Sequence, residues 1–233
     1  MLELHIANKN YSSWSLRPWV LLRELGIPFQ ERLHPFVPGG RGTAFRSFSP
    51  SGKVPALVDG DLTIWESLAI VEYLAERHSG VWPGEQAARA WARSATSEMH
   101  AGFAALRGSC SMSCGVRIRL REISAALSHD VARLEEVWLD GLHRFGGPFL
   151  AGAAFSAVDA FYAPVAFRFQ TYGFPLAPAA RDYAQRLLAL PSMQAWYADA
   201  LAEPHRDESH DEEVLKSGEL LADHRAAASP GAV

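Results

Sequence analysis

Val54-Pro55-Ala56-Leu57-Val58-Asp59-Gly60, followed by Leu62-Thr63-Ile64 and Trp65-Glu66-Ser67-Leu68-Ala69-Ile70, decides how this 233-residue chain folds. Val54 to Val58 is an apolar strand, Asp59-Gly60 is a two-residue hairpin signal, and Leu62-Thr63-Ile64 supplies the return strand. Pro55 has no N–H to offer a ladder, so its edge is expected to stay unpaired and open to a peptide laid beside Val54. Ser67 then falls in the first turn of a helix, where free N–H groups and the positive end of the dipole favour a carboxylate. Glu66 beside it is placed to meet an ammonium, although a first-turn acid is also common on helical grounds alone.

Working outward, the first 78 residues alternate strand and helix signals. Leu2 to Ala7 is a strand, Ser15 to Leu25 a helix stopped by Gly26, and Phe29 to Leu33 a second strand after Pro28. Pro35 to Gly42 is a loop, Thr43 to Phe48 a short irregular helix, and Glu66 to Arg77 a helix with Ile70, Val71, Leu74 and Ala75 on one stripe. Residues 79–84 form a linker, and everything after it reads helical. One long helix is expected through Trp91, Ala95, Met99, Gly102, Phe103 and Leu106, and a second through Ile123, Leu127, Val131, Leu134, Trp138, Leu142 and Phe145. Ser156 and Asp159 have capping-box spacing for a helix to about Thr171, and shorter helices start at Pro178 and Pro191. Residues 203–233 are acidic and then Ala/Ser/Gly-rich, and a weakly ordered tail is expected there.

The hairpin, the Val54-Pro55 pair and the Glu66-Ser67 helix opening resemble the N-terminal domain of the cytosolic glutathione transferase superfamily. Tyr11-Ser12-Ser13-Trp14-Ser15-Leu16-Arg17 is similar to the serine-bearing segment of its zeta and tau classes, and Ser156-Ala157-Val158-Asp159 to the box that opens the family's sixth helix. The resemblance implies a thioredoxin-like α/β domain (βαβ-ββα, residues 1–78) followed by an all-helical domain (85–202). It also implies a cis Val54-Pro55 bond, glutathione as co-substrate, a homodimer and a cytoplasmic location. Glutathione would lie against Val54, Pro55, Glu66 and Ser67, with Lys53, or less readily His34 or Arg41, near its glycine carboxylate. The electrophile would meet Trp14, His100, Phe103 and Arg107 between the domains.

The chemistry asked of such a site is to keep the glutathione thiol ionised at neutral pH. A free thiol titrates near 8.5, and lowering that by two units takes roughly 2.7 kcal/mol of preference for the anion. A hydroxyl donor at a helix start can supply it. Ser12 stands first for this role and Ser13 is its competitor, while serines at helix starts are also ordinary caps. The activity implied is a transferase acting on small hydrophobic electrophiles or peroxides. Alternatives are a zeta-like isomerase of a maleyl compound and a non-catalytic regulator of the same fold. Thr171 stands where zeta enzymes carry a substrate-binding arginine, with Arg168 one turn earlier as a substitute. Trp14 replaces the zeta cysteine, so the mouth is expected to be bulky and apolar.

Composition narrows the classes. A net charge of −4 gives no reason to expect nucleic acid, and 48% apolar residues suffice for a core. No run approaches the roughly 18 apolar residues of a membrane span, and the start lacks the basic segment of a signal peptide. Cys110 and Cys114 have neither redox nor zinc spacing and read as reduced thiols, and no histidine pair suggests a metal.

Overall fold

The computed structural model describes residues 1–36 and 44–225; Arg41 and the segment 226–233 lie outside the described residues. The chain opens with β1 (Leu2–Ile6), α1 (Ser13–Glu24) and β2 (Phe29–Leu33), a βαβ unit in which β1 and β2 pair in parallel. A 3₁₀ turn over Ala44–Ser47 precedes β3 (Ala56–Asp59), β4 (Leu62–Ile64) and α2 (Ser67–Ala75). The strand order β2-β1-β3-β4, with β3 antiparallel to both neighbours, completes the thioredoxin-like arrangement. Asp59 pairs with Leu62, so the hairpin loop is Gly60-Asp61, one residue later than the sequence suggests. Gly60 supplies the left-handed φ of 59° that such a turn requires. β3 is interior rather than an open edge, and Pro55 sits just before its first residue, where no ladder N–H is lost. The Val54-Pro55 bond is cis, as the resemblance implies, and the Trp65-Glu66 bond is cis as well.

The helical half contains α3 (Gln86–Ala101), α4 (Ala104–Ser109), α5 (Ala125–Phe145), α6 (Ala157–Tyr172), α7 (Pro178–Leu188) and α8 (Pro191–Ala202). The Trp91 to Leu106 pattern, expected as one helix, is broken between α3 and α4. Gly102 packs so closely that a Cβ there would lie 2.8 Å from the Glu98 carbonyl oxygen, and Phe103 takes a left-handed φ of 59°. Helical periodicity continues across such a break because the apolar side chains still face one core.

Two expectations fail after residue 109. The region is not all-helical: β5 (Val116–Leu120) pairs antiparallel with β6 (Gly218–Asp223). Nor is the tail weakly ordered as far as Arg225, since α9 (Glu208–Ser217) leads into β6 and buries Val214. The acidic surface of α9 hides an apolar anchor, and β-pairing 100 residues away in sequence supplies order that composition does not reveal.

α6 is the axis of the core, with nearly every residue from Ala157 to Tyr172 buried. Trp138 of α5 meets Tyr162, Phe169 and Tyr183 edge-on. At the start of α6, Ser156 and Asp159 form the reciprocal capping box. The Asp159 carboxylate also accepts the Leu150 N–H at 3.0 Å and the Tyr183 hydroxyl at 2.9 Å, and burial nevertheless pushes its pKa up to about 6. Removing it would strand several buried donors at about 1 to 3 kcal/mol each. Asp159→Ala should therefore lower the calorimetric melting temperature by about 5 °C or more; a melting curve superimposable on wild type would refute this account of the cap.

Candidate active site

The loop between β1 and α1 is held from several sides, which is why its serines occupy defined positions. The buried Glu203 carboxylate accepts the main-chain N–H groups of Lys9 at 2.6 Å and Asn10 at 3.3 Å. Burial raises its pKa, while those two amides oppose the rise. Lys9, also buried, reaches Glu31 at 2.8 Å and Asp199 at 2.6 Å and lies 4.9 Å from the Trp19 ring centre. Asn10 accepts the Gly115 N–H at 3.0 Å, and Cys114 N–H donates to its carbonyl. The loop is thus fastened to β2, to α8 and to the segment leading into β5.

Ser12 is the N-cap of α1. Its Oγ accepts weakly from the Ser15 N–H at 3.4 Å and donates to Ser15 Oγ at 2.7 Å, so both roles of the hydroxyl are spent locally. Ser13 begins α1, and its Oγ accepts from Arg168 Nη2 at 3.4 Å. Both serines line a cavity of about 440 Å³ together with Trp14, Lys53, Val54, Arg107 and Arg168. Tyr11, Phe36, Phe45, Ser111, Met112, His210 and Glu213 complete its wall.

Next to this cavity, Glu66 and Ser67 stand at the start of α2. Ser67 is fully buried and donates to Glu66 Oε2 at 3.2 Å, and Glu66 Oε1 lies 3.4 Å from His100 Nε2. Burial lowers the pKa of His100, with Arg17 and Arg107 adding to the effect and Glu66 opposing it. His100 also meets the Trp14 ring edge-on.

Trp14 itself is clasped by two guanidinium groups, Arg17 at 4.0 Å and Arg107 at 4.7 Å from its ring centre. The mouth is bulky, and its wall joins the aromatic rings of Tyr11, Trp14, Phe36 and Phe45 to the guanidinium groups of Arg107 and Arg168. Burial raises Cys110 to about 12 and Cys114 further, which leaves both as unreactive free thiols. Among the described residues no group of histidines, cysteines and acids could hold a metal, and no helix is long and apolar enough to cross a membrane.

Residues 11–77 match the family described as glutathione S-transferase, N-terminal domain. Residues 11–77 therefore carry a glutathione S-transferase N-terminal domain. A dichloromethane dehalogenase of Methylophilus leisingeri is 59% identical over 39 residues, which span 16% of this chain and only 15% of that protein. The glutathione S-transferase-like protein OpS6 of Beauveria bassiana is 28% identical over 175 residues, or 70% of this chain and 77% of that one. A glutathione transferase homologue from Burkholderia GL BGR1, solved with bound glutathione, has the same fold: TM-score 0.66 at 22% identity, over 85% of this chain and 97% of that one.

Within this fold, Ser12, Ser13, Trp14, Lys53, Val54 and Arg107 line one cavity. Pro55, Glu66, Ser67 and His100 stand outside its lining, the last three linked to one another and joined to Trp14 through the His100 ring. Phe103 does not reach it: the left-handed turn before α4 buries its ring in the core. The sequence reading missed Tyr11, Ser111, Met112 and the α9 residues His210 and Glu213. Val214 and Leu215, adjacent apolar residues in an acidic segment, were the available hint that α9 packs. Glu203 was also missed, and Glu203→Gln should weaken the acceptance of the two loop amides. Destabilisation of about 1 to 3 kcal/mol in denaturant unfolding is expected, and an unchanged midpoint would contradict the clamp.

Proposed function

We propose that this protein is a glutathione transferase in which Ser13, backed by Arg168, stabilises the thiolate. The observation that carries this reading is the Ser13 hydroxyl at the first position of α1, on the same cavity as Val54 and 3.4 Å from a buried guanidinium. Ser13 accepts from Arg168, which leaves its own proton to donate to a sulfur anion. The helix start and the nearby cation add to that stabilisation. Ser12, which the sequence favoured, already donates to Ser15 and caps the helix. Its role in this reading is to hold α1 in place.

Glutathione would extend along the main chain of Val54, with its α-carboxylate at the start of α2, its ammonium at Glu66 and its glycine carboxylate near the exposed Lys53. Ser67 would exchange Glu66 for the ligand carboxylate on binding. The thiolate then attacks the electrophilic carbon, the C–S bond forms, and the leaving group departs with the former bonding pair. The proton lost by the thiol goes to solvent, so no general base among the cavity residues is needed for turnover.

Ser13→Ala should raise the pKa of bound glutathione and reduce turnover by about a hundredfold, as loss of one anion-stabilising donor does elsewhere. Ser12→Ala should chiefly cost about 1 kcal/mol of stability as a lost cap. Titrating the ultraviolet absorbance of the bound thiolate in both variants decides between them, and a larger shift in the Ser12 variant transfers the role to Ser12. Glu66→Ala and Ser67→Ala should each weaken glutathione binding by about 1.5 to 3 kcal/mol, the range for hydrogen bonds to charged groups. If calorimetry finds wild-type affinity in both, or immobilised glutathione fails to retain the wild-type protein, the site is not a glutathione site and the non-catalytic alternative stands.

A further inference from the structure

The glutathione reading gives partners to Lys53 and Arg168 but leaves one cation of the cavity wall, Arg107, without an anion beside it. Arg107 comes from α4 and Arg168 from α6, both on the lining, while Arg17 of α1 stands outside the lining against the Trp14 ring. Arg168 donates to the Cys110 carbonyl at 2.9 Å and to Ser13, and Arg107 Nη2 donates to the His100 carbonyl at 2.8 Å. The buried Nε and Nη1 of Arg17 and the buried Nε of Arg107 have no hydrogen-bond partner. Among the described residues, no carboxylate forms an ion pair with any of the three. The acids that come near are occupied: Glu66 with His100 and Ser67, Asp130 with the Leu106 N–H, and Glu213 with the Ser111 hydroxyl. The faces of Trp14 and, for Arg17, of Phe161 at 4.7 Å offset part of the cost of burying these cations.

We propose that the electrophile carries a carboxylate, and that Arg107, beside Trp14, is the residue that receives it. Placing it next to the thiolate rests on the transferase reading above. The thiolate supplies one negative charge, on the Ser13 and Arg168 side. Arg107 lies 4.7 Å from the Trp14 ring centre and lines the same cavity, and its buried Nε has no hydrogen-bond partner. A neutral apolar molecule entering there would strip water from Arg107 and return nothing, whereas a carboxylate replaces that water with a charged acceptor. The Met112 side chain on the neighbouring wall suits the apolar part of such a ligand. Arg17, fully buried behind Trp14, acts through the field it adds rather than by contact.

Binding is tested first without chemistry, by calorimetry of 4-methylbenzoate and of the neutral 4-methylbenzamide in the presence of saturating S-methylglutathione. The benzoate should bind wild-type protein at least tenfold more tightly than the amide, and Arg107→Gln should weaken the benzoate at least tenfold and the amide much less. Equal affinities in wild-type protein, or equal weakening of both by the variant, overturn the proposal. The wild-type comparison stands even if the variant fails to fold. With glutathione, 4-(chloromethyl)benzoate should show at least a tenfold lower KM than its methyl ester, chloride leaving as the C–S bond forms; equal KM values count against the proposal. Benzoate binding without any glutathione-dependent turnover would remove the transferase reading and leave the anion site.

Discussion

The acceptance of the Lys9 and Asn10 amides by the buried Glu203 carboxylate is the contact on which the rest of the site depends. A loop between a strand and a helix has main-chain groups that must be satisfied, and here the Lys9 and Asn10 amides are satisfied from the helical half while those of Tyr11, Ser12 and Ser13 turn back onto the Asn8 and Tyr11 carbonyls. The consequence is geometric. The two serines sit at the start of α1, so their orientation relative to Val54 and Arg168 follows from where Glu203, Trp196 and Asn10 hold the preceding residues. Lys9 adds a buried charge to this joint, tolerated because Glu31 and Asp199 neutralise it and two tryptophan rings flank it.

The same joint explains why the two halves are one working unit. α1 packs along α6, the buried axis of the helical region, and Arg168 leaves α6 to meet Ser13 on α1. The hydroxyl comes from one half and its cationic neighbour from the other.

Much of this was legible in the sequence, where local chemistry decides the outcome. The βαβ-ββα order, the helix starts at Pro178 and Pro191 and the Ser156/Asp159 cap follow from residues that act on their own neighbours. The hairpin was displaced by one residue because Asp59-Gly60 and Gly60-Asp61 both satisfy the same turn rule, and only pairing with β1 and β4 selects between them. β5, β6 and α9 were illegible because their order comes from each other, across most of the helical region. The break at Gly102 was hidden because apolar spacing carries on through it. Ser12 stood ahead of Ser13 in the sequence because the resemblance puts the first serine of the run, five residues before Arg17, in that role. What separates them is the Ser15 hydroxyl on one side and a guanidinium from α6 on the other, and neither contact has a signature in spacing.

The pairing of β5 with β6 has an implication for how the cavity comes into being. Arg119 and Glu219 are brought together across 100 residues, and α9, which contributes His210 and Glu213 to the cavity wall, is carried on the same late segment. Closing so long a loop is slow and becomes favourable only when something folded is there to receive it. During synthesis β1, α1 and β3 are made well before α9, so the part of the wall that carries His210 and Glu213 can be added only after the serines, Val54 and the arginines exist as chain. The shape of the pocket therefore depends on how the segment from α9 to β6 docks.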